Sequence, residues 1–215
     1  MIPLYHDFTD ETVLVFGGGS VGARKARRFA REASVVVVGP ELPADDYGGA
    51  ETVRAAPAPA EVPSWFDRVD PALAVAATDD PEVNEAVARA ADGRDVLVNR
   101  TDRSGSRDVG SVVVPATVRD DEVTVAVSTG AASPALAREL RTRIETEIEG
   151  AGELAALTAD IREELKARGV DPDRRRAAVR AAVRSPAVWK DLGTGGSKPR
   201  RTADAVVESA LGETE

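Results

Sequence analysis

The chain has 215 residues, enough for one compact α/β domain and a smaller appended unit. It has no cysteine, which excludes disulfides, thiolate metal sites and cysteine nucleophiles. A net charge of −9 argues against general nucleic-acid binding, and no apolar run approaches the ~20 residues that a membrane-spanning helix needs.

Only four of the 28 basic residues are lysines, Lys25, Lys166, Lys190 and Lys198. An acidic, lysine-poor chain with 4% aromatics has the character of a protein adapted to high salt. Carboxylates keep such a surface hydrated while salt screens their repulsion. An ordinary acidic protein from a GC-rich genome stays open as the alternative. The stretch Met1–Asp7 lacks the basic and apolar regions of a signal peptide, so a cytoplasmic protein is expected.

The chain is organised around Val13–Ala26. A first strand over about 12–16 stops at a glycine cluster, and a helix over about 20–32 begins at once, with Ser20 as its expected cap. Gly17, Gly19 and Gly22 fit G-x-G-x-x-G. In a strand–turn–helix setting Gly17 permits the tight turn, Gly19 lets a pyrophosphate approach the backbone, and Gly22 lets helix and strand pack closely. The helix N-terminus, with Ser20 and Val21, then presents unpaired N–H groups to the phosphates. A buried strand over 35–38 follows at βαβ spacing. It leads to Glu41 and Leu42, where an acid suits a ribose hydroxyl. No arginine follows closely enough to suggest a 2′-phosphate, which favours NAD over NADP.

A short third strand is predicted over 52–54, then a Pro/Ala-rich stretch that resists regular structure until a turn of helix at 64–67. The fourth strand, 73–77, ends at Thr78. Asp80 and Pro81 are cap and first residue of a helix running to about Ala91 and stopping near Gly93. The fifth strand, 96–98, leads into Asn99-Arg100-Thr101-Asp102. In a doubly wound sheet ligands sit beyond the carboxyl ends of the strands, where Gly17–Gly22, Glu41, Thr78 and Asn99–Asp102 all fall. The pattern then changes. Residues 111–118 and 122–127 read as a hairpin joined through Arg119-Asp120-Asp121. Helices follow over 133–149 (capped by Ser133), 151–168, 172–184 and 203–211, with a Gly/Ser loop at 193–198. The resulting division is an NAD-binding unit (1–110), a hairpin-and-helix region (111–149) and a helical C-terminal domain (150–215). Two strands alone are marginal, so the hairpin is expected to pair with that of a second subunit in a homodimer. Trp65 and Trp189 read as packing residues. His6 is the sole histidine, so no preassembled metal site is visible.

Four segments in order, Gly17–Ala26, Ala76–Asp80, Asn99–Asp102 and Ser128–Pro134, resemble the precorrin-2 dehydrogenase and sirohydrochlorin ferrochelatase family, which includes the N-terminal half of siroheme synthase. The resemblance covers about 1–150 well and the helical tail loosely. It implies a Rossmann-like parallel-sheet domain, a hairpin dimerisation region and a C-terminal helical domain. It also implies NAD-dependent oxidation of precorrin-2 to sirohydrochlorin, with insertion of Fe²⁺ in some members. The aspartate closing the family's Asn-x-x-Asp motif is its catalytic carboxylate and matches Asp102. Removing a hydride and a proton, or displacing pyrrole N–H protons, calls for such a proton acceptor. With 215 residues, the methyltransferase fused to the bacterial enzyme is expected to be a separate protein, and the acid-rich composition implies a halophilic archaeal source. Thr129 stands where bacterial relatives carry a serine able to take phosphate, and is read here as a turn residue. The substrate's carboxylates need local cations, for which Arg100, Arg103, Arg107, Arg138 and Arg141 are candidates, solvated surface charge being the alternative for each. Against the enzyme stand a non-catalytic NAD-binding, redox-sensing regulatory module and another small Rossmann oxidoreductase.

Overall fold

The computed structural model describes residues 2–43, 46–103, 110–193 and 196–212. The chain divides into two compact units, 1–114 and 115–215. The hairpin and the helix after it therefore group with the C-terminal helices.

The first unit is built on five parallel strands, β1 (Thr12–Phe16), β2 (Ser34–Gly39), β3 (Glu51–Arg54), β4 (Leu73–Ala76) and β5 (Leu97–Arg100), in the order β3-β2-β1-β4-β5. Side chains alternate between the faces of the sheet. Val13 and Val15 of β1 pack with Val35, Val37 and Val75 against Ala23 and Ala26 of helix α1 (Ser20–Phe29). Leu14 and Phe16 pack on the other face against α2 (Val62–Val69) and α3 (Pro81–Asp92), through Val62, Phe66, Val83 and Val87. Each fully buried large side chain here contributes roughly 1.5–3 kcal/mol. Phe16 and Phe66 stack at 6.3 Å between ring centres.

The observed bounds differ from the predicted ones where tertiary contacts decide. A 3-10 turn at Pro59–Glu61 and α2 occupy most of the stretch expected to resist structure, because Val62, Trp65 and Phe66 find a buried face. β5 runs on to Arg100, so Asn99 and Arg100 are strand residues rather than loop residues. Ser111 forms a parallel bridge to Val98, and the Val112 amide donates to the Val98 carbonyl at 2.8 Å. Residues 111–112 thus extend this sheet instead of opening the hairpin.

In the second unit β6 (Ala116–Asp120) pairs antiparallel with β7 (Val123–Val127), from Ala116↔Val127 to Asp120↔Val123. The strand begins after Pro115, whose missing N–H cannot serve a ladder. Arg119 and Asp120, expected in the connection, are paired residues, and the turn is Asp121-Glu122 with Asp121 at φ 47°. Helix α4 (Pro134–Glu147) is capped by Ser133, whose Oγ accepts from the Leu136 amide at 3.2 Å. Thr129 Oγ1 donates to the Ser133 carbonyl at 3.0 Å, closing the turn before α4. Helices α5 (Ala151–Ala167), α6 (Pro172–Arg184), α7 (Pro186–Asp191) and α8 (Lys198–Gly212) enclose a core of Leu154, Ile161, Leu165, Val188 and Val207. The short α7 was not anticipated, and α8 begins five residues earlier than predicted. Trp189 on α7 is exposed; its Nε1–H donates to the Val183 carbonyl at 2.8 Å rather than filling the core. Residues 194–195 of the expected Gly/Ser loop lie outside the described residues. Among the described residues no helix is long and apolar enough to cross a membrane.

Candidate dinucleotide and proton-transfer site

The strand order reverses between β1 and β4, and the turns after these strands meet there. Gly17 has φ +112°, a region L side chains avoid. A Cβ on it would stand 2.2 Å from the Ala77 carbonyl oxygen, so the turn after β1 lies directly on the turn after β4. A Cβ on Gly22 would stand 1.9 Å from the Gly17 oxygen, which is how α1 presses onto the strand end. A Cβ on Gly19 would meet nothing within 4 Å. This glycine fronts open space, the opening a phosphate would use.

Ser20 is not the cap. Gly19 holds the N-cap position with no side-chain bond, and Ser20 and Val21 are the first helical residues. The Ala23 amide is the first to turn back, to the Gly19 carbonyl at 2.9 Å. The N–H groups of Ser20, Val21 and Gly22 are left outside the helical ladder, and no acidic residue stands in the first turn. A glycine cap thus leaves the positive helix end to an outside anion.

Two features of this cradle escaped the sequence reading. Gly18 is as constrained as its neighbours, since a Cβ there would lie 2.3 Å from the Glu41 carbonyl and 2.8 Å from Leu42 Cδ2. This places Glu41, exposed, and Leu42, half-buried, against the glycine turn. Buried Tyr47 donates its hydroxyl to the Gly18 carbonyl at 2.6 Å, pinning the turn from a segment 29 residues away. Its signal was a lone aromatic in the turn-rich run Asp46-Tyr47-Gly48-Gly49.

Beyond β4, Thr78 is held by Asn84 of α3. Asn84 Oδ1 accepts from the Thr78 amide (3.2 Å) and hydroxyl (2.8 Å), and its Nδ2 donates to the Thr78 carbonyl at 2.9 Å. Asn84 is 1% exposed, a polar residue on the apolar face of α3, and that misfit was the signal for it. Asp80 caps α3 by accepting from the Glu82 and Val83 amides at 2.8 and 3.3 Å. The end of β5 is tied to the same edge, since the Thr101 amide and hydroxyl both donate to the Ala76 carbonyl, at 3.0 and 3.1 Å.

Asp102 follows, its side chain a quarter exposed. Arg100 grips it with two parallel bonds, Nε to Oδ1 at 3.1 Å and Nη2 to Oδ2 at 2.7 Å. Arg100 Nη1 donates to Glu85 Oε2 at 2.5 Å, and Arg103 Nη2 reaches the same oxygen at 2.9 Å. The Arg100 hydrogen bonds, ahead of smaller contributions that include Asn84, hold the Asp102 carboxyl below the ordinary aspartate range. Glu85 is lowered in the same way, first by Arg100. Asn99 points elsewhere: buried, it donates from Nδ2 to the Val112 carbonyl at 2.8 Å.

Of the arginines expected to receive substrate carboxylates, Arg100 is 8% exposed and already committed to two carboxylates of the chain. Arg103 pairs with Glu85, and Arg141 with Glu145 one turn along α4 at 3.2 Å. Arg138 is exposed on α4, and Arg107 lies outside the described residues. Among the described residues no group of three or more His, Asp or Glu side chains could hold a metal ion.

A parallel sheet in this order, with a glycine cradle and an uncapped helix at its switch point, defines a Rossmann-type dinucleotide-binding domain. Residues 4–116 match the family model described as "Putative NAD(P)-binding", and the chain belongs to that family. Over 217 residues the chain is 36% identical to the siroheme synthase of Pseudomonas putida (strain W619), covering 97% of this chain and 45% of that protein. Over 170 residues it is 41% identical to the siroheme synthase of Methylobacillus flagellatus, covering 78% of this chain and 35% of that protein. The chain thus spans less than half the length of these relatives. The solved structure of "SirC, precorrin-2 dehydrogenase" aligns with a TM-score of 0.70 at 21% identity, covering 97% of this chain and all of that one, a likeness of fold.

Proposed function

We propose that this chain oxidises precorrin-2 to sirohydrochlorin with NAD⁺, a step in making siroheme. The observation that carries the reading is the junction of two elements on one sheet edge: the open cradle at Gly19 and, two strand ends away, the half-shielded carboxylate of Asp102. A redox sensor needs the first and has no use for the second. The similarity to siroheme synthases along nearly the whole chain supports the choice of a tetrapyrrole substrate.

Gly17, Gly19, Gly22 and the amides of Ser20 and Val21 would hold the pyrophosphate. Glu41 and Leu42 would take the adenosine ribose, and Thr78 would line the approach to the nicotinamide. Glu41 in the ribose position favours NAD over NADP. Bound there, NAD⁺ supplies the hydride acceptor. The chain's part is to orient the macrocycle and to accept at Asp102 the proton that leaves as the hydride departs, so substrate loses two electrons and two hydrogens in all. The same carboxylate would take up the pyrrole protons displaced when Fe²⁺ enters the product. The hairpin and α4, which bury no residue of that helix, support a homodimer formed through this region. The acid-rich surface supports a protein from a salt-rich cytoplasm, most stable in molar KCl.

The test is direct. Purified protein is mixed with precorrin-2 and NAD⁺, and NADH and sirohydrochlorin are followed by absorbance. Equimolar appearance of both is expected. Tight NAD⁺ binding without turnover would move the assignment to the sensor.

A further inference from the structure

We infer that Arg100 is the positioning residue for Asp102: a nearly enclosed guanidinium, anchored from behind by Glu85, that fixes the plane of the carboxylate and leaves its outer lone pairs to the substrate. The inference rests on the dehydrogenase reading of Asp102 above.

Three observations converge on it. First, the Arg100 side chain is 8% exposed although it ends the strand, while its partners Asp102 and Glu85 are 25% and 40% exposed. A buried cation is tolerated only when paired, and here two carboxylates flank it. Second, the contact is a fork on a fork. Nε and Nη2 meet one oxygen each of Asp102, which uses one lone pair per oxygen and prevents the carboxylate from rotating. Third, the guanidinium is itself held. Glu85 takes its remaining Nη1, and Arg103 binds the same Glu85 oxygen, so Asp102, Arg100, Glu85 and Arg103 form a row of alternating charge.

Among the described residues, the side chains that act on Asp102 are Arg100 at the end of β5 and Asn84 from α3, while Arg103 acts on Glu85. Arg89 on α3 acts on Glu85. The arrangement trades basicity for orientation. Arg100 favours the ionised carboxylate and so makes it a weaker base, yet one aimed in a fixed direction. Loss of the fork would free a stronger but unaimed base. Burial, the bidentate contact and the Glu85 anchor suit this task, and a lysine could not replace the fork.

The test uses the full chain with Arg100→Gln, Arg100→Lys and Glu85→Gln, each checked for folding by thermal melt. Two readouts are taken: the carboxyl titration of Asp102 by ¹³C NMR, and kcat with KM for NAD⁺. In wild type Asp102 is expected to titrate below the ordinary aspartate range. In Arg100→Gln the titration should move up toward the ordinary aspartate range and kcat should fall about 10- to 100-fold, with KM for NAD⁺ within about twofold. Arg100→Lys should recover most of the titration shift, because charge remains, and little of the kcat, because the fork does not. Glu85→Gln should lower kcat less than Arg100→Gln, because the fork on Asp102 remains. An unchanged Asp102 titration in Arg100→Gln, or wild-type kcat in Arg100→Lys, would overturn the inference. Should wild-type protein fail to oxidise precorrin-2, the functional reading fails, while the NMR titration still decides whether Arg100 governs Asp102.

Discussion

Gly17 and Gly19 stand two residues apart and make opposite predictions. At Gly17 an alanine must adopt φ +112° and place its methyl 2.2 Å from the Ala77 carbonyl oxygen, a backbone atom that cannot swing away. The conformation alone costs of order 1–3 kcal/mol. The overlap forces β1 and β4 apart in the middle of the sheet, so a total near the exceptional ~4 kcal/mol is expected. At Gly19 φ is −71° and ψ −176°, an extended conformation open to any residue, and the methyl meets nothing within 4 Å. Gly19→Ala should therefore change stability by no more than about 1 kcal/mol, the scale of a glycine-to-alanine change at a cap. Its methyl fills the space reserved for the pyrophosphate. Losing one backbone hydrogen bond to a charged group costs about 1.5–3 kcal/mol, or roughly a 10- to 150-fold loss of NAD⁺ affinity. Urea denaturation and calorimetric NAD⁺ titration of the two variants separate the effects. A Gly19→Ala protein that binds NAD⁺ like wild type would refute the placement of the phosphates at this opening.

Further predictions follow from single contacts. Tyr47→Phe removes the donor to the buried Gly18 carbonyl and should cost about 1–3 kcal/mol in urea denaturation while weakening NAD⁺ binding. Burial, reinforced by Arg28 and then Arg24, lowers Lys25 to about 8, so its charged form is disfavoured in the folded state. That penalty is full below pH 8 and vanishes above the ordinary 10.5, so Lys25→Met should raise Tm at pH 7 and lose this gain as pH rises through 8–10.5. Each 1 kcal/mol relieved corresponds to about 2–4 °C. Leu136 is 49% exposed on α4, and Leu136→Glu should shift the protein to monomer by light scattering if that face joins two subunits.

Much of this architecture was legible because its signals are local. The valine-rich strands, the glycine spacing, Asp80-Pro81 and Ser133-Pro134 at helix starts, and Gly169 after α5 each declare themselves within a few residues. What escaped depends on partners distant in sequence. Ser111 joins β5 rather than the hairpin because a free strand edge is available to it. Asn84 and Tyr47 matter only through Thr78 and Gly18, and neither belongs to a motif. Asp102 was legible as a strand-end acid, but its state was not. Arg100, read as a candidate for substrate, is turned inward because α3 brings Glu85 to the end of β5. The local pattern also made Ser20 a cap, whereas the turn puts Gly19 there and leaves the helix end open.

The central claim joins a dinucleotide cradle to one proton-accepting carboxylate, and Asp102→Asn tests it most directly. The change is nearly isosteric and keeps an acceptor oxygen for Arg100. Single-turnover oxidation of precorrin-2 under saturating NAD⁺ should fall about 10²- to 10⁴-fold, the scale of general base catalysis, while calorimetric NAD⁺ affinity stays within about twofold. Wild-type turnover in this variant would contradict the account.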